Sequence, residues 1–212
     1  MTETTGPTEI TRPRDAGELS YASMLVPLDG SELAERALCP ARWLAEAFGA
    51  DLHIVVADVR RDERWWYQTY FDKLEGRLGP LSRRVSDDPD VTRAVVAAAR
   101  DAEPCLICMA THGRSRTAAI VGSTFARLAA RHGAPLVAVG PRVEPAHDLA
   151  GNQATPFDRL VVCVDGSPTA ERALPLTAAW ARRLGWRVSV VTAADPVLMP
   201  LEYGTGPTPG SP

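Results

Sequence analysis

Two short stretches hold residue types that can act on an anion. The first runs Thr111-His112-Gly113-Arg114-Ser115-Arg116 and is followed, after a brief spacer, by Gly122-Ser123-Thr124. Backbone amides next to glycines, hydroxyls and guanidinium groups gathered like this make a cradle for phosphate, above all where a helix begins. The second stretch is Asp29-Gly30-Ser31. A carboxylate there can accept hydrogen bonds from ribose hydroxyls, or it can shape the turn by capping local amides. Gly122-Ser123 is open in the same way, because Ser at a helix start is also an ordinary N-cap. His112 is the nearest acid–base candidate, and a His in such a loop commonly bonds to backbone. Hydrolysis of a nucleotide needs a positioned base and usually a metal ligand. The pattern therefore points to a binder rather than an enzyme.

The elements on either side can bring these stretches together. Cys105 to Ala110 and Pro135 to Val139 are short apolar runs, joined by the polar loop and by an alanine-rich helix from Gly122-Ser123 to Gly133. Two strands joined by a helix predict a right-handed parallel crossover, with the loop at the carboxyl edge of the sheet, where ligands bind. Upstream, Met24 to Leu28 reads as a buried strand ending at Asp29. Ser31 caps a helix carrying Leu33, Ala37, Ala41, Leu44 and Phe48, closed by Gly49 and bent by Pro40. A second strand follows over Leu52 to Ala57, completing a βαβ unit.

Between these units, Arg60 to Leu78 predicts a charged helix. Trp66, Tyr70 and Leu74, and more loosely Tyr67, Phe71 and Leu78, turn toward the sheet. Leu81 to Ser86, flanked by arginines, suits an edge strand. Asp88 is expected to cap the next helix, with Pro89 at its first position, Val91, Val95 and Ala98 inward, and Glu103-Pro104 at its end. Cys105 and Cys108 fall within a strand pattern that sends them to opposite faces, so buried thiols are expected rather than a redox or zinc motif.

The chain has 212 residues and a net charge of −3, with no basic block, so neither nucleic acid nor an anionic membrane is indicated as a partner. No apolar run approaches a membrane span, and a cytoplasmic location is expected. Residues 1–22 and 196–212 read as disordered tails and 142–157 as a linker. Beyond the linker the sequence repeats. Ala170-Glu171-Arg172-Ala173-Leu174 copies Ala34-Glu35-Arg36-Ala37-Leu38, while Asp165 matches Asp29 and Gly185 matches Gly49, all at one constant offset. The copy supplies a strand, a helix and a strand, with nothing corresponding to Cys105 to Val139.

These residues resemble the universal stress protein family. Asp29-Gly30-Ser31 after a strand resembles its amino-terminal signature, and Ala110-Thr111-His112-Gly113 with Gly122-Ser123 resembles its G-x-x-G-x9-G-[S/T] nucleotide motif. The resemblance covers residues 23–141 as one complete domain and 158–195 as a truncated second repeat. It implies an α/β fold: a three-layer, five-stranded parallel sheet of the adenine-nucleotide-binding, Rossmann-like type, with an extra βαβ half-repeat. It further implies an ATP-binding stress-response sensor, with or without Mg2+. Pro27 and Asp29 line the adenosine pocket, Ala57 offers its backbone to the base, and Met109 and Ala110 flank the ribose. Gly113, Arg114, Gly122, Ser123 and Thr124 hold the phosphates. Two departures stand out: Ala110 replaces the first motif glycine, and the spacer Arg114 to Val121 is one residue short. A methyl there hinders close backbone approach, and the shortened loop shifts the amides it presents. The alternative is a module of the same fold that works through protein contacts alone. Family dimers imply a homodimer through residues 135–139.

Overall fold

The computed structural model describes residues 20–57, 64–79, 81–112, 123–131, 135–143 and 157–192. Residues 1–19, the expected carboxy-terminal tail, most of the linker and the loop 113–122 lie outside the described residues, whereas the end of the expected amino-terminal tail joins the fold: Tyr21 is buried against Phe48, and the Ala22 amide donates to the Pro104 carbonyl. The chain divides into two compact units at the boundary between Phe157 and Asp158.

The first unit is a five-stranded parallel sheet. Its strands are β1 (Ser23–Leu28), β2 (Asp51–Val56), β3 (Ser82–Val85), β4 (Cys105–Ala110) and β5 (Leu136–Val139), in the order β3-β2-β1-β4-β5. The chain winds outward from β1 to β3, then crosses back past β1 to β4. The winding therefore reverses between β1 and β4, the position at which open α/β sheets bind ligands. Strands β1 and β4 are central and almost wholly buried, whereas β3 is exposed along its length, as its arginines require.

Helices cover both faces. α4 (Val91–Asp101) and α5 (Ser123–Arg131) pack on Leu25, Val55, Cys105 and Ile107 through Val95, Ala98, Ala99 and Leu128. Alternation along β4 puts Cys108 on the other face, where its Sγ approaches the Ala37 carbonyl at 3.7 Å. Burial pushes the Cys108 thiol up to about 12, which removes it from thiolate chemistry. Cys105 is buried on the α4 side, so both thiols pack as expected.

On the Cys108 face the helix expected after Ser31 is divided, as α1 (Glu32–Glu35) and α2 (Leu38–Phe48). The break falls near Arg36, four residues before Pro40. A proline ring displaces the carbonyl four residues back and offers it no N–H, so the bend expected at Pro40 appears one turn upstream. Gly49 closes α2 in the left-handed region at φ 69°. α3 (Arg64–Leu78) shares this face with α2, since Arg42 Nη1 donates to the Leu78 carbonyl at 3.0 Å. Its Tyr67, Tyr70, Phe71, Leu74 and Leu78 are buried, while Trp66 is only partly covered.

One cap differs from expectation. Asp90, not Asp88, caps α4, because its carboxylate accepts from the amides of Thr92 and Arg93. Pro89 thus precedes the cap, and Asp88 instead pairs with the Arg93 guanidinium.

The second unit holds β6 (Arg159–Val164), α6 (Pro168–Glu171), α7 (Ala173–Leu184) and β7 (Arg187–Thr192). Its two strands are parallel, with Leu160 opposite Val188 as Met24 is opposite Leu52. Gly185 repeats the left-handed cap at φ 68°.

Candidate functional site

The hydrogen-bonded ladder is interrupted at the winding reversal, and the interruption has a cause in the sequence. β1 and β2 pair as far as Leu28 opposite Val56, and β4 and β5 pair as far as Ala110 opposite Val139. Between β1 and β4 the ladder stops early, at Leu25 opposite Ile107. The Ala22 carbonyl accepts from the Asp51 amide of β2 and the Ser23 amide donates to the Pro104 carbonyl, so from Ser23 onward alternate amides of β1 face β4. The next donors in that series are Leu25 and then Pro27. Proline has no N–H, so the hydrogen-bonded ladder between β1 and β4 ends there, toward the carboxyl edge.

Asp29 follows the last residue of β1, beside this break in the ladder. Its Oδ1 accepts from the Ser31 amide at 2.9 Å and from the Ser31 hydroxyl at 2.6 Å. The Ser31 hydroxyl in turn accepts from the Ala34 amide at 3.2 Å and caps α1. Of the two roles open to Asp29, the structure therefore shows the turn-shaping one in place. That role fixes the carboxylate at the strand tip.

Register places Ala57, next after Val56, beside Asp29 on the β2 side. Met109 and Ala110 end β4. The Thr111 amide and hydroxyl both donate to the Val139 carbonyl, at 2.9 and 3.3 Å, which holds the start of the loop against β5. The Thr111 hydroxyl also meets His112 Nδ1 at 2.9 Å, so His112 is engaged locally. Ser123 opens α5 and Thr124 follows it. The first turn of α5 has no acidic side chain, which leaves its positive dipole end unneutralised by its own residues. Because β4 and β5 are parallel and α5 joins them, α5 begins at the same carboxyl edge as Asp29 and Ala110. Pro27, Asp29, Ala57, Met109, Ala110, Ser123 and Thr124 thus lie along one edge of the sheet. Gly113, Arg114 and Gly122 lie outside the described residues.

Sequence reasoning missed one group. Tyr70 of α3 is 8% exposed, and its hydroxyl lies against Glu35 without reaching full hydrogen-bond geometry. Burial, then the Glu35 carboxylate, pushes the phenol's pKa upward; Asp29 adds to this, and Arg77 opposes it. Arg77 pairs with Glu35 at 2.8 Å. The aromatic helix therefore abuts α1 at Glu35, a non-local contact that no local spacing announces.

The sequence profile of the universal stress protein family matches residues 20–140. The chain belongs to the universal stress protein family. Among solved structures, it is similar to the universal stress protein UspA from Lactobacillus plantarum, with 17% identity and a TM-score of 0.47, over 57% of this chain and 99% of that one. A functionally unknown protein from Pseudomonas aeruginosa PAO1 is similar with 19% identity and a TM-score of 0.58, over 82% of this chain and 61% of that one. A universal stress protein in complex with cAMP is similar with 26% identity and a TM-score of 0.46, over 58% and 99% of the respective chains. No curated protein sequence matches the chain. No helix among the described residues is long and apolar enough to cross a membrane.

Proposed function

We propose that this universal stress protein binds an adenine nucleotide, ATP foremost, at the carboxyl edge between β1 and β4, and serves as a stress-response sensor rather than an enzyme. The observation that carries this reading is that the β1–β4 ladder ends after Leu25 and Ile107, at the reversal of winding. Asp29 and the amino end of α5 both lie at that carboxyl edge. In this reading Asp29 takes the ribose hydroxyls, Ala57 meets the base through its backbone, and Pro27, Met109 and Ala110 line the walls. Ser123 and Thr124, with Gly113, Arg114 and Gly122, hold the phosphates. Occupancy then alters shape or partners. A homodimer through residues 135–139 accompanies this reading, because β5 ends the sheet of the first unit and presents an edge.

Chromatography of the nucleotide released from purified protein tests the proposal, with thermal shifts in ATP, with and without Mg2+, and in cAMP. Near-stoichiometric adenine nucleotide, or a clear shift, is expected. One observation favours a second reading, a nucleotide-free interaction module: Ala110 carries a methyl where the motif has hydrogen. Absence of both released nucleotide and thermal shift would select that reading.

A further inference from the structure

A run of hydrogen bonds borders the carboxyl edge on the face covered by α4 and α5. It begins at the end of β2, where the Ser86 amide donates to the Val56 carbonyl at 2.9 Å. The Ser86 hydroxyl accepts from the Asp88 amide at 3.2 Å, and Asp88 Oδ1 accepts from the Asp90 amide at 2.8 Å. Asp90 caps α4 and also receives Arg127 Nη2 on both carboxylate oxygens, at 2.9 and 2.7 Å. Arg127 belongs to α5, one turn after Ser123. The run thus joins the residue before Ala57, where the base is proposed to lie, to the helix whose amino end is proposed to take the phosphates.

α5 has nine residues, too few to hold a helical form alone in water, so its place is set by what it packs on. Leu128 is buried and Phe125 half-buried in the core shared with α4. Apolar packing of that kind is non-directional. A directed bond fixes what it leaves free, the rotation of α5 and its height along its own axis. The Asp90–Arg127 pair supplies such a bond, and its carboxylate is held in turn by the Thr92 and Arg93 amides. The two side chains are 33% and 44% exposed, and ion pairs this accessible contribute little to stability. The consequence of the pair lies in placement.

On the nucleotide reading above, we infer that Asp90 and Arg127 are positioning residues for the phosphate end of the site. They set the aim of the Ser123 and Thr124 amides without touching the ligand, and so favour a phosphorylated nucleoside over a bare one. Charge alone acts the other way at Asp90. A carboxylate near bound phosphates repels them, so its removal would strengthen ATP binding. Positioning reverses that sign.

Calorimetric titration of ATP and of adenosine into wild type, Asp90→Asn, Arg127→Gln and the double variant reads the sign directly. Asn keeps the cap of α4. Wild type is expected to bind both ligands. Each single variant is expected to weaken ATP at least about fivefold and adenosine by less than about twofold, with the double variant no weaker than either, because both changes break one tie. Urea midpoints are expected to stay near that of wild type. Tighter ATP binding by Asp90→Asn overturns the inference, as does an equal loss of ATP and adenosine or an ATP affinity unchanged in Arg127→Gln. Wild type that binds neither ligand removes the nucleotide reading and this inference with it, whereas binding by wild type with indifferent variants removes the inference alone.

Discussion

Asp29 and Asp165 head the same turn. Each accepts the amide of the serine two residues on at 2.9 Å, and each serine hydroxyl then caps a short helix from 3.2 Å. Up to that point the two units are the same local structure. They diverge in what is contributed from a distance: β1 is flanked on both edges and covered on both faces, whereas β6 has one neighbour among the described residues and its Val161 is 59% exposed. Local sequence is enough to build the strand, turn and cap. Only the crossing from β3 to β4 converts that corner into a lined edge with a helix amino end facing it.

The sharpest way to break this comparison is to truncate matched positions. Leu25→Ala is expected to destabilise the first unit by about 2–5 kcal/mol, through lost burial and the cavity left behind. Val161→Ala is expected to change stability by under about 0.5 kcal/mol, as at a surface site. Urea unfolding of the two variants measures both, and equal losses would mean that the Val161 face is covered after all.

A second contrast is pH dependence, which belongs to the first unit. Tyr70 holds its proton in the folded state beyond the ordinary phenol range, whereas the unfolded chain releases it near about pH 10. The stabilisation is therefore complete below that pH and falls as pH rises through it, by up to about 1.4 kcal/mol per pH unit. Alkaline unfolding curves are expected to lose this slope in Tyr70→Phe. The smallest effect tests the likeness of the units rather than their difference. Ser31→Ala and Ser167→Ala are each expected to cost about 1 kcal/mol of local stability, read by hydrogen exchange at Ala34 and Ala170, because the caps have the same geometry.

Much of the fold is legible in the sequence because it is written in local patterns. The strand runs, the Gly49 and Gly185 closures, the arginine-flanked edge strand and the opposite facing of Cys105 and Cys108 each follow from period and residue type. What was misread depended on choices between neighbours. Asp88 and Asp90 are both able to cap α4, and the choice falls to the residue whose carboxylate reaches the Thr92 and Arg93 amides. Pro40 acts on the helix a turn before itself. The packing of α3 against Glu35 of α1 joins elements that no window of sequence spans. Pro27 is the instructive case at the site: as a residue type it marks a strand edge, yet only the parity of β1, with the Ala22 carbonyl turned to Asp51 of β2, shows that its missing amide falls on the β4 side.

The most direct test uses the second unit as the control for the first. Calorimetric titration of ATP into wild type, Asp29→Ala and Asp165→Ala separates loss of the turn, common to both variants, from loss of the ligand group. The expected result is saturable binding by wild type, weakened at least about tenfold in Asp29→Ala and unchanged in Asp165→Ala. No binding by wild type, or equal affinity in all three proteins, would contradict the placement of the nucleotide at the β1–β4 edge.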